Sequence, residues 1–215
     1  MGHVRTFTRL SKLAAKSGVQ FGFKDQSETM KKISKLLFFR PDFMTETVTV
    51  WGGVIYFPNS HWAKIHPEAA WRALAHSLVH VSDQQRVTMP VYALSYLFPQ
   101  CLSLLALLAV FDLRALLFLL FLLPWPAPFR KYWEMRAYAM TLATEVWSKQ
   151  DVSEIPVGIV QTFIGRHGYW MWPFPSSVRS ELARWAVKIR TKRLGLFLPY
   201  TEDVRFSAHK EGPFR

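Results

Sequence analysis

A single cysteine, Cys101, stands among 215 residues. An internal disulfide is therefore excluded, and the thiol suits a reducing compartment or a shielded apolar position. Acids are scarce: 15 Asp and Glu face 27 Lys and Arg, for a net charge of +12. That excess points to an anionic partner, whether membrane lipid, nucleic acid or an acidic protein surface. The first 24 residues contain no acid at all. There Arg5, Arg9, Lys12, Lys16 and Lys24 are interleaved with Val4, Phe7, Leu10, Leu13 and Ala14 at helical spacing. This pattern predicts a basic amphipathic helix that lies on an anionic membrane, docks on a partner or acts as an organelle presequence. It lacks the apolar run of a secretory signal, so no such peptide is expected. No internal repeat is visible, and no DNA- or RNA-binding motif accompanies the charge, which ranks nucleic acid below lipid as the partner.

Half of the residues are hydrophobic, enough to bury a core in one domain with decorations. The most informative stretch runs from Ala73 to Gln85. His76 and His80 lie four residues apart there, which on an α-helix is one turn plus about 40°, so both imidazoles leave one face. Pro67 and Glu68 suit a first turn, and Ala70, Leu74, Leu78 and Val81 form an apolar stripe. Farther on, Glu134 opens a second helical stretch and can complete a two-histidine, one-carboxylate metal site, with Glu145, three turns on, as the weaker alternative. Asp83 is placed as a partner to a histidine ring. His61 and His66 sit in a loop and are left out of the site.

Upstream, Lys31 to Phe39 predicts a helix that seals the core, and Thr45 to Phe57 predicts a β-hairpin turning at Gly52-Gly53. Between the two halves of the metal site lies an apolar stretch, Val91 to Leu123, broken at Pro99-Gln100 and Asp112-Leu-Arg114. α-Helices over Gln100 to Phe111 and Leu113 to Leu123 would each be about 17 Å long, short of the about 30 Å of a bilayer core. A monotopic or re-entrant hairpin is expected, with Arg86, Arg130 and Lys131 at its base, entering lipid or a partner protein. Pro124 to Pro128 ends it. Ile164 to Pro175 predicts an aromatic wall. After it, Ser176 or Ser177 caps a helix with Val178, Leu182, Trp185 and Ile189 on one stripe and basic residues elsewhere, ending at Gly195. The tail from Pro199 is polar and carries no signal.

Ala-His-Ser-Leu-Val-His-Val-Ser-Asp-Gln, followed by Glu134-x-x-Ala-Tyr-Ala, resembles the zincin metallopeptidase-like domains. Their helix reads His-Glu-Leu-Val-His-Val-x-Gln, and their next helix supplies a glutamate ligand. The resemblance covers about residues 45 to 175 and implies Zn2+ held by His76, His80 and Glu134. It puts Ser77 where the general base belongs, and gives His167 and Tyr169 as candidates for stabilising an oxyanion.

The expected fold is α+β: a mainly helical zincin-like domain over 45–198 with a small β-hairpin and an inserted apolar helical hairpin. Its segments are 1–44, basic amphipathic helices; 45–90, hairpin and histidine helix; 91–128, the apolar insertion; and 129–215, the third-ligand helix, aromatic segment and basic helix. Two functional readings stand. One is an active, membrane-associated zinc peptidase acting on peptide substrates. The other, preferred because Ser77 cannot act as a base, is a non-catalytic descendant serving as a structural or membrane-docking part of a larger assembly, such as a virus tail. Either would contact lipid through the Val91 to Leu123 hairpin and the basic helices. A membrane adaptor without metal is a third reading.

Overall fold

The structure is a computed structural model and describes residues 2–37, 40–149, 155–165 and 170–208. In chain order come α1 (Gly2–Lys16), β1 (Gln20–Phe23), α2 (Glu28–Leu36), β2 (Thr49–Trp51), β3 (Val54–Phe57), α3 (Trp62–Ile65), α4 (Pro67–Val87) and α5 (Met89–Leu97). Two 3₁₀ helices follow (Gln100–Val110 and Leu113–Leu122), then α6 (Pro128–Lys149), α7 (Val157–Ile164), α8 (Pro175–Arg190) and α9 (Thr201–Ala208). The fold is thus mainly helical with one small sheet, an α+β arrangement.

Gly52 and Gly53 both take positive φ (59° and 78°), the conformation a tight two-residue hairpin needs. They turn β2 antiparallel onto β3. β1, which the sequence reading missed, adds parallel to the other side of β3. Gly22 lets the Tyr56 ring lie across that pairing, because a Cβ there would stand 2.8 Å from the ring.

α4 is the central element. Its expected stripe of Ala70, Leu74, Leu78 and Val81 is fully buried. Pairings along its length set it antiparallel to α6: Arg72 bonds Glu145 at 2.6 Å, His76 meets Thr141, and Asp83 receives both Arg136 Nη2 and Nε at 2.9 and 3.2 Å. α1 packs on α4 and α9. Leu10 and Ala14 enter the core, so the apolar face of this basic helix is used inside the molecule. The same holds for α8, whose stripe of Val178, Leu182, Trp185 and Ile189 is buried. Only the charged faces of these two helices remain for an anionic surface.

Other expectations are corrected. On α2 only Met30 is buried and Leu36 is exposed, while Phe38 and Phe39, on which the expected seal of the core also rests, lie outside the described residues. Phe174, not a serine, stands at the N-cap of α8, and that helix ends at Arg190 rather than near Gly195. The tail does carry structure, since α9 buries Val204 and its Ser207 accepts a bond from Trp71 Nε1 at 3.0 Å.

The apolar insertion is a finger of two antiparallel helices, but they are 3₁₀ rather than α. The sequence explains the winding. Beyond the first turn, the less exposed positions recur every three residues: Ser103, Ala106 and Ala109, then Ala115, Phe118 and Phe121. A three-residue repeat keeps one seam aligned only in a three-per-turn helix; the first helix's repeat is made of small side chains, and the second's of Ala115 with Phe118 and Phe121. Most of the other finger side chains are exposed leucine, with exposed Val110 and Phe111 and the charged Asp112 and Arg114 at the tip. Among the described residues no single helix is long and apolar enough to cross a membrane, though α5 and the first finger helix, bent by 89°, pass that test together.

Candidate metal centre

The central turns of α4 and the first half of α6 bring three ligand types together. His76 Nε2 and His80 Nε2 are 3.1 Å apart. Glu134 Oε2 lies 3.5 Å from His76 Nε2, and Oε1 lies 3.5 Å from His80 Nε2. Four ligands around an ion at 2.0–2.2 Å would stand about 3.3–3.6 Å from one another in a tetrahedron. The His76–His80 spacing is slightly under that edge and the two 3.5 Å contacts fall on different Glu134 oxygens, but one donor atom from each residue lies within 4.8 Å of the others, so the three residues can hold a metal ion.

The surrounding hydrogen bonds orient the rings. Thr141 Oγ1 donates to the Ala137 carbonyl, so its lone pair is left to accept from His76 Nδ1 at 3.3 Å. In the neutral ring the proton then sits on Nδ1 and Nε2 presents a bare lone pair to the cluster, whereas the charged ring also carries a proton on Nε2 and donates it to Glu134. His80 Nδ1 lies 2.9 Å from the Tyr92 hydroxyl. If the phenol accepts from Nδ1, Nε2 is bare and ready for a metal. If it donates, Nε2 carries the proton and bridges to His76 and Glu134. A metal ion and a proton therefore compete for one position.

Electrostatics agrees. Burial would raise the Glu134 carboxyl, but the charge of His80 and hydrogen bonds from both histidines outweigh it and hold the group well below the usual carboxylate range. Burial pushes His76 down despite its hydrogen bond to Glu134, which favours the neutral imidazole a metal needs. The Tyr96 hydroxyl donates to Glu134 Oε1 at 2.6 Å. Burial, then the nearby carboxylate, push that phenol well above its ordinary value, so it stays a donor.

Ser77, at the base position, is buried (3% exposed). Asp83 is not a partner of either histidine, because Arg136 claims it. Glu145 is held by Arg72 on the next turns and stands apart from the cluster. Two cations expected at the base of the finger also have other duties: Arg130 is buried, with Nε donating to the Tyr96 carbonyl, and Lys131 pairs with Glu181 at 2.6 Å. His167 and Tyr169 lie outside the described residues.

The sequence reading overlooked Tyr92, Tyr96 and Thr141. A signal existed for each. Tyr92 and Tyr96 repeat the four-residue spacing of the histidines within an apolar run, and Thr141 lies two turns from Glu134. Comparisons with protein families, curated proteins and solved structures returned no match, so the reading of the site rests on its own geometry.

Proposed function

We propose that the protein is a zincin-like, zinc-binding component held at a membrane surface and lacking the machinery for efficient peptide hydrolysis. The observation that carries the reading is the triangle of two imidazoles and one carboxylate, with each ring backed by a hydroxyl and the carboxylate by a phenol. Two neutral imidazoles and one carboxylate suit zinc, and bonded outer partners are what hold such ligands in orientation. The exposed apolar finger supports the membrane setting.

When bound, zinc would polarise a carbonyl and lower the pKa of a coordinated water. Among the described residues none is placed to complete that chemistry. A positioned general base contributes about 10² to 10⁴ in rate, and Ser77 has no basic group near neutral pH. The other buried acids on the α4–α6 layer, Asp83 and Glu145, are bound by Arg136 and Arg72. A structural or docking role within a larger assembly follows, with slow, metal-dependent cleavage as the second reading.

Ser77→Glu tests the choice. Wild type is expected to leave unfolded and membrane-bound protein substrates intact, while Ser77→Glu, checked for folding by circular dichroism and for metal content, gains chelator-sensitive cleavage. Wild-type cleavage abolished by chelator and by His80→Ala would instead make the chain an active peptidase.

A further inference from the structure

α5 has two different faces. Tyr92 and Tyr96 point to the metal centre, while Val91, Leu94 (60% exposed) and Leu97 form an apolar stripe on the outside. The finger leaves α5 at 89° and packs only on itself and on α5 among the larger contacts of the described residues. Both the stripe and the finger therefore point away from the α4–α6 layer.

Exposed rings of Phe98, Trp125 and Phe129 stand at the finger's base, and those of Trp170 and Phe174 belong to the segment joined to it. Phe98 meets Phe129 at 5.8 Å. Trp125 Nε1 donates to the Leu120 carbonyl. The Ala127–Met171 backbone bond brings up the segment of Trp170, and Trp172 carries Phe174 at 5.6 Å. Exposed Arg86 precedes α5, and exposed Arg179 follows Phe174 by five residues. Exposed aromatic rings at the base of an apolar projection, with cations in the flanking segments, are what a protein presents at a lipid–water boundary. The finger is clothed in leucine on all sides but its own seam, which suits an isotropic hydrocarbon rather than a one-sided protein groove.

We propose that α5 lies in the plane of an anionic bilayer, its Val91–Leu94–Leu97 face and the aromatic rim seated among the headgroups and the finger entering a single leaflet. At about 2.0 Å per residue the finger is about 20–22 Å long, which matches one leaflet with its headgroups, half of about 40–45 Å. The metal centre then stands one helix thickness, about 10 Å, above the lipid, and receives ligands presented at the membrane surface. This pose rests on the membrane-bound reading above and adds its orientation.

The test uses full-length protein carrying Cys101→Ser and one new cysteine, Leu94→Cys, Leu107→Cys or Val187→Cys, labelled with an environment-sensitive fluorophore. With vesicles of phosphatidylcholine plus phosphatidylserine, the labels at 94 and 107 are expected to blue-shift and brighten severalfold while that at 187 stays unchanged; phosphatidylcholine alone gives a weaker response. A response at 107 with 94 still in water leaves membrane binding standing and overturns the α5 pose, and a response at 187 overturns it equally. Silence at all three positions, with no co-flotation, removes the membrane reading itself. Apolar signals at 94 and 107 without vesicles, with a doubled mass by light scattering, would assign the surface to a second copy and overturn the proposal.

Discussion

Tyr96 gives up one hydrogen bond and little volume on replacement by phenylalanine, so Tyr96→Phe isolates its hold on Glu134 Oε1. Removing such an outer partner typically weakens metal binding by about 10- to 100-fold. That loss is expected for zinc by competition titration, with the melting temperature of the metal-free protein nearly unchanged; unaltered affinity would reduce Tyr96 to packing. Lys24 is a second residue with a readable consequence. It is fully buried, with Nζ donating to the Phe43 carbonyl at 2.6 Å and to Thr47 Oγ1 at 2.9 Å. Burial, then the charge of Arg40, push it down to about 7 from 10.5. Between those values the unfolded chain holds the proton that the folded chain has released, so stability rises with pH through that window. Urea unfolding should show the rise in wild type and its loss in Lys24→Met, and parallel pH profiles would refute the assignment. Both residues show what a sequence hides. A tyrosine in an apolar run and a lysine in a basic one look like their neighbours until the fold supplies a partner.

Among the elements, the finger is set by a near balance. Its thirteen exposed Leu, Val and Phe side chains favour insertion by about 4–8 kcal/mol in total, while Asp112 and Arg114 at the tip oppose it by about 5–7 kcal/mol. In the proposed membrane-bound pose insertion on these terms is marginal, which leaves the rim and the attraction of a cationic protein to anionic lipid to tip the balance. Replacing both tip charges, Asp112→Leu with Arg114→Leu, is therefore expected to strengthen vesicle binding by at least about tenfold and to abolish the need for phosphatidylserine, as read by flotation. Unchanged or weaker binding would mean that the tip never meets hydrocarbon. The finger's limits were legible because Pro99 and Asp112 interrupt an otherwise continuous apolar run. Its winding was not, since a periodicity of three emerges only when small and aromatic positions are read together as a seam. β1 escaped notice for a related reason: Gln-Phe-Gly-Phe is short and contains glycine, and only β3 beside it makes it a strand.

For the molecule as a whole, the α4–α6 pair is both core and site. Arg72–Glu145 and Asp83–Arg136 pin the two helices on either side of the histidines, so the ligands are brought together by the same register that buries Leu74, Leu78, Met135 and Leu142. This is why the site could be read from sequence: the i, i+4 pair and a later carboxylate fall on helices whose apolar stripes dictate that they face each other. What could not be read is how the remaining acids are spent, because Asp83 and Glu145 acquire arginine partners only across the helix interface. An ion bound at the centre ties α4 to α6 and should raise the melting temperature in proportion to its occupancy. The most direct measurement is native mass spectrometry of protein loaded with zinc and dialysed, compared with the His76→Ala, His80→Ala double variant. About one zinc per wild-type chain and none in the variant is the predicted result, given a site of two histidines and one carboxylate; equal metal in both proteins would contradict the account.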